Sequence, residues 1–141
     1  MPYPDLLVAP MREELVKLGF QELRTADEVE AIFSASDDPT LVVVNSVCGC
    51  AAGGMRPAVA LSLQSAAKKP AVLTTVFAGQ DLEATQKARE YFTGYAPSSP
   101  SIAILKDGDI VYMLERHQIE GRYPQEIAND LVAAYDEHCA A

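Results

Sequence analysis

Two cysteines separated by a single glycine, Cys48 and Cys50, stand where a β-branched run gives way to small residues, in Ser46-Val47-Cys48-Gly49-Cys50-Ala51-Ala52-Gly53-Gly54. Thiols at that spacing can exchange with a disulfide, one thiolate attacking and the other resolving the intermediate. A Cys48–Cys50 disulfide would close a ring of about eleven atoms, tighter than relaxed disulfide geometry, so the bond would be strained and comparatively oxidising. Gly49 tolerates the backbone angles that closure needs. Such a pair makes a poor structural staple and a workable switch.

The surrounding pattern supplies a position suited to that chemistry. Leu41-Val42-Val43-Val44-Asn45 reads as a strand buried on both faces, and Met55, Val59 and Leu63, with Ala52 one turn earlier, predict a helix starting near Cys50. A helix N-terminus presents unpaired N–H groups and the positive end of the helix dipole, both of which stabilise a thiolate. Asn45 and Ser46, at the strand's end, could donate hydrogen bonds to a thiolate or serve as ordinary caps. A metal site would need further ligands, and only Cys139, His117 and His138 remain, with no ligand-spaced pair among them. Inert core thiols stay open as a reading, although glycines at a strand-to-helix junction imply backbone freedom or close approach.

The remaining elements follow in order. Leu7, Met11, Leu15 and Leu18 predict a first helix ended by Gly19, with Pro10 either kinking it or lying in its first turn. Phe20–Leu23 is a short strand. Thr25 and Glu28 form a capping box that opens a helix to about Ser34, and Ser36-Asp37-Asp38-Pro39 is a turn. Pro57 should bend the helix after the thiols, which runs to about Ala67. Ala71–Phe77 is a second apolar strand; Asp81 is the N-cap of a helix carrying Ala84, Ala88, Tyr91 and Phe92. Gly94–Pro100 is a loop, and Asp107-Gly108 joins Ser101–Lys106 to Asp109–Leu114 in a hairpin. From Pro124 a last helix places Ile127, Leu131, Ala134 and His138 on one stripe. Alternating strands and helices predict an α/β fold, a mixed sheet with helices on both faces.

Length and composition bound the rest. At 141 residues the chain is most simply one domain, residues 1–141. Its net charge of −9, from 20 acidic and 11 basic residues, argues against nucleic acid or an anionic membrane as partner. Three cysteines make no secreted disulfide framework, and Met1–Asp5 lacks the basic and apolar regions of a signal peptide, so the expectation is a reducing cytoplasm.

The order of elements is similar to the thioredoxin fold with an additional N-terminal helix, Pro100 standing where thioredoxins carry a cis-proline facing the thiols. More specifically, Val42–Gly53, Val76-Phe77-Ala78-Gly79-Gln80-Asp81, Tyr91-Phe92-Thr93-Gly94, Ala96–Ser101 and Arg116-His117-Gln118-Ile119-Glu120-Gly121 resemble the bacilliredoxin family. The resemblance implies a cytoplasmic thiol–disulfide oxidoreductase that removes bacillithiol from protein cysteines, with general disulfide isomerase activity as an alternative. It implies Cys48 as nucleophile and Cys50 as resolving thiol, no bound cofactor, and bacillithiol as co-substrate. Bacillithiolated client proteins and a flavin-dependent bacillithiol disulfide reductase are the implied partners. On that reading Arg56, about two turns into the helix, could attract the carboxylates of a bacillithiol-like ligand or be solvated surface. Gly49 would contact substrate, and Thr93, Gly94 and the Pro97–Pro100 loop, with Ser99 and Pro100, would form the far wall of the substrate groove or be a mere connector. A non-enzymatic thiol module, metal-binding or redox-sensing, is the competing class. His117 is expected to be an exposed loop histidine or to tune the site, Cys139 a peripheral or half-buried thiol, and His138 a core histidine.

Overall fold

The computed structural model describes residues 2–35 and 37–139. Five strands form one mixed sheet in the order β1-β3-β2-β4-β5, with β1 Gln21–Glu22, β2 Thr40–Asn45, β3 Val72–Phe77, β4 Ser101–Lys106 and β5 Asp109–Leu114. β1 and β2 both pair with β3 in parallel, while β4 runs antiparallel to β2 and to β5. The helices are α1 Asp5–Val16, α2 Ala26–Ala35, α3 Arg56–Ser65, α4 Leu82–Glu90 and α5 Pro124–His138.

β2 is the centre because every one of its residues is buried, and pleating sends alternate side chains to opposite faces. Leu41 and Val43 join the cluster built by α3 and α5, with Met55, Val59, Ile127, Leu131 and Tyr135. Val42 and Val44 join the other, with Val29 and Phe33 of α2 and Ala84 and Ala88 of α4. Burying such side chains stabilises the fold by roughly 1.5–3 kcal/mol each, which fixes the register of the strand that leads to the thiols.

Several local expectations hold and several change. The capping box forms, Thr25 Oγ1 accepting from Glu28 N–H at 3.1 Å and Glu28 Oε1 from Thr25 N–H at 3.1 Å. Asp107 and Gly108 both take positive φ, +54° and +78°, as a two-residue hairpin turn requires. Pro10 lies inside α1. Asp81 precedes α4 but makes no side-chain cap; its carboxylate holds Arg12 instead, at 2.7 and 3.0 Å. Pro57 lies within a continuous helical run from Gly49 to Ser65 that is irregular just before it: a wide π turn, Ala51–Met55, precedes α3, Pro57 is the second residue of α3, and the helix stops at Ser65. Of the turn expected at Ser36–Pro39, Ser36 lies outside the described residues. Among the described residues, no helix is long and apolar enough to cross a membrane.

Candidate active site

The thiol loop is fixed by the end of β2. Asn45 is buried; its amide donates to the Met11 carbonyl of α1 at 3.1 Å, and its Oδ1 accepts from Ser46 N–H and from Arg56 Nη1, both at 2.9 Å. Arg56 also donates to the Ser46 carbonyl at 3.0 Å and to the Glu14 carboxylate. Ser46 Oγ accepts from the Cys48 backbone N–H at 3.1 Å, turning the chain out of the sheet. The Cys48 carbonyl then accepts from Ala51 and Ala52 N–H, and helical backbone begins at Gly49. Cys48 is therefore the residue just outside a helix N-terminus, with the dipole's positive end beside it.

Both cysteines are half-buried free thiols, their sulphurs 2.8 Å apart. The Cys48 thiol is held below the ordinary thiol range, first because Cys50 donates its S–H to it, then by the Cys50 backbone N–H and the charge of Arg116; burial and Glu120 oppose. Cys50 is pushed up to about 11, by burial first and then by the neighbouring Cys48 thiolate. Two groups this close titrate as a pair, one proton leaving early and the other late.

Arg116 completes the site. Its Nη2 donates to Cys48 Sγ at 3.2 Å and its Nη1 to the Ser99 carbonyl at 3.1 Å, while Glu120 holds Nε at 2.7 Å. Ser99–Pro100 is a cis peptide bond, and Pro100 is buried at the head of β4. Arg116 thus ties the cis-proline loop to the sulphur of Cys48. The sequence marked this arginine only as part of the Arg116–Gly121 segment of the family resemblance, since no spacing connects position 116 with position 48. The pairing of Ile102 with Leu114 in the β4–β5 hairpin carries Arg116 back beside Pro100.

Cys48, Cys50, Ser46, Ser99 and Pro100 come together around the thiols. Asn45 and Ser46 direct their side chains to backbone groups and Arg56, so the capping reading describes them and no hydrogen bond from either to a sulphur is present. Arg56 is neither solvated surface nor turned outward to a ligand's carboxylates. It is 3% exposed, with its guanidinium engaged by Glu14, Asn45 and Ser46. Gly49 does not adopt positive φ in the dithiol form, and a Cβ there would meet nothing within 4 Å. Thr93 and Gly94 are exposed after α4, Gly94 with φ +87°. His117 is 75% exposed and paired with Glu115; His138 and Cys139 lie at the end of α5, His138 tilted against Tyr112 and Cys139 buried in the α3–α5 core. Among the described residues, no group of three or more His, Cys, Asp or Glu is placed to hold a metal ion.

Residues 3–139 match the protein family described as disulphide isomerase. A bacilliredoxin of Salinibacter ruber is 55% identical over 140 residues, 99% of this chain and 82% of that protein. A bacilliredoxin of Bacillus licheniformis is 53% identical over 97% of this chain and 95% of its own length. Among solved structures, thioredoxin f from spinach chloroplast superimposes with a TM-score of 0.56 over 90% of this chain and 93% of that one, at 18% identity. Oxidised thioredoxin from Plasmodium falciparum gives 0.55 over 82% and 97%, at 19% identity. These structural likenesses carry the fold.

Proposed function

The chain belongs to the bacilliredoxin family and has a thioredoxin-like fold, which support a thiol–disulfide oxidoreductase, and from that premise we propose that it reduces mixed disulfides between a low-molecular-weight thiol, bacillithiol or a close analogue, and protein cysteines. The observation that carries this reading is the opposite bias of two touching thiols, Cys48 poised as thiolate and Cys50 retained as thiol.

The Cys48 thiolate attacks the bacillithiol sulphur of the mixed disulfide. A Cys48–bacillithiol bond forms, the bond to the client sulphur breaks, and the client leaves as a thiolate that takes a proton from water. Arg116 steadies the attacking sulphur through Nη2. Once Cys48 is capped, its negative charge and its hydrogen bond with Cys50 are gone, so two of the four causes that raise Cys50 disappear and only burial and the Glu120 charge remain, opposed by Arg116. Cys50 then ionises more readily, attacks Cys48 Sγ and expels bacillithiol, leaving a Cys48–Cys50 disulfide. A second bacillithiol can instead attack the bound one, releasing bacillithiol disulfide and free Cys48; a flavin-dependent reductase would recycle that product in the cytoplasm.

The test is reduction of a client carrying a bacillithiol mixed disulfide by wild type, Cys48→Ala and Cys50→Ala, with mass spectrometry of the intact protein. Cys48→Ala is expected to be inactive, and Cys50→Ala to accumulate bacillithiol on Cys48. A wild type that leaves the mixed disulfide intact while rearranging protein disulfides would move the assignment to isomerase activity.

A further inference from the structure

The chain contains six arginines. Five of them, Arg12, Arg24, Arg56, Arg116 and Arg122, lie in ion pairs with carboxylates. Arg89, in the last turn of α4, forms no such pair among the described residues; its hydrogen bond there is from Nη2 to the Ser98 carbonyl at 3.4 Å. Carboxylates are not scarce in a chain with 20 acidic residues, and Arg89 is half-buried, its guanidinium disfavoured by desolvation with no counter-charge opposing. A partly desolvated cation left without an anion costs free energy that an anion arriving from solvent would recover.

Arg89 lines an open groove of about 400 Å³ together with Gly79, Leu82, Thr85, Gln86 and Pro97. That is the size range of small-molecule sites. The sheet register puts the groove beside the thiols. Phe77, two residues before Gly79, pairs with Asn45, and Ser101, just after Pro100, pairs with Val44. The end of β3 and the cis-proline loop therefore flank the loop that carries Cys48. Ser98 and Ser99 are consecutive: the Ser98 carbonyl accepts from Arg89, and the Ser99 carbonyl from Arg116, which also reaches Cys48 Sγ.

We propose that this groove receives the carboxylate-bearing end of the low-molecular-weight thiol, Arg89 pairing with a carboxylate through the planar fork of its guanidinium while the thiol's sulphur lies at Cys48. This rests on the mixed-disulfide reading and deepens it by assigning the small thiol a seat. Arg56 is not available for that role because its donors face Glu14, Asn45 and Ser46.

The test is a binding titration, followed by amide and guanidinium NMR, of full-length Cys48→Ser protein with the S-methyl thioether of bacillithiol and, separately, with the same thioether after esterification of its carboxylates. The acid is expected to shift Gly79, Thr85, Arg89 and Ser98, and the ester to bind at least about tenfold more weakly, the factor that roughly 1.4 kcal/mol carries. Arg89→Gln is expected to reduce affinity for the acid to that of the ester, with Arg89→Lys between them. Should Arg89→Gln fail to fold, Gln86→Glu supplies an internal counter-ion in the groove and is expected to weaken acid binding alone. Equal binding of acid and ester, or shifts confined to Lys17, Ala52 and Pro57, which line a separate pocket, would overturn the proposal. Because the readout is binding, it judges the groove even if wild type proves unable to reduce the mixed disulfide, the outcome that defeats the proposed function instead.

Discussion

At the scale of single residues, the site's reactivity is a matter of which groups face Cys48 Sγ. Cys50 contributes most to lowering the Cys48 thiol and Arg116 adds to it, so the two contributions are separable by titration. In a Cys139→Ala background, thiolate absorbance is expected to rise in two steps, the first shifted down from that of an unperturbed thiol and the second near 11. Cys50→Ala should leave one step, moved upward; Arg116→Gln should move the first step upward by less. The sign follows from charge: removing a donor or a cation from a thiolate destabilises the ionised form, so it appears at higher pH. An unmoved first step in Arg116→Gln would show that the guanidinium orients the loop without stabilising the sulphur. Gly49 makes a second prediction. Its backbone is not left-handed in the dithiol form and a Cβ meets open space, so Gly49→Ala should keep the stability of the reduced protein within about 0.5 kcal/mol in urea unfolding. If closure of the small ring is what needs glycine, the same variant will form the Cys48–Cys50 disulfide more slowly under a fixed oxidant.

At the scale of elements, the end of β2 is clamped by Arg56, whose hydrogen bonds join α1, β2 and α3. Arg56→Met should lower stability by about 2 kcal/mol, the usual range for removing a charged donor from buried acceptors; Glu14 is half exposed, so its ion pair adds little. Urea unfolding measures the loss, and activity should fall through kcat as the loop loosens. A rise in KM at unchanged stability would instead return Arg56 to a ligand-reading role. This residue also shows what a sequence can and cannot convey. Apolar runs, the capping box and the Asp107-Gly108 turn are local signals, and they located the five strands and five α-helices, but not the π turn at Ala51–Met55 or the 3-10 turn at Arg116–Gln118. The thiol pair was legible for the same reason. Arg56 and Arg116 were not, because their roles depend on which distant groups the fold brings to them. For Arg116 the obstacle is specific. Counting back from a two-residue turn places Glu115 opposite Pro100, but a bulge between Ile104 and Leu105 shifts the pairing by one, so that Arg116 arrives there. A misplaced acid beside Cys48 would have implied the opposite effect on the thiol.

At the scale of the molecule, α1 is tied to the edge where the chemistry lies, although it stands more than thirty residues from Cys48 in the chain. Arg12 grips Asp81 with two hydrogen bonds, approaches Glu22 at 4.0 Å and lies over the Phe77 ring at 5.2 Å, connecting α1 to the ends of β1 and β3. At the residue just before Arg12, the Met11 carbonyl accepts from the Asn45 amide, and Asn45 in turn holds Ser46. Docking of α1 and order in the thiol loop are therefore coupled through Asn45. Arg12→Ala leaves the largely buried Asp81 carboxylate without its partner and should cost roughly 3 kcal/mol. Global destabilisation alone would raise exchange only in the amides that exchange through complete unfolding. Coupling predicts more: the Ser46 and Cys48 amides, whose acceptors are Asn45 Oδ1 and Ser46 Oγ, should exchange faster by a factor beyond that of the β2 core amides in hydrogen-exchange mass spectrometry. Alkylation of Cys48 should lose its low-pH onset in parallel. Loss of protection confined to α1, with the 46–48 amides unchanged, would mean that α1 covers the sheet edge without governing the thiols.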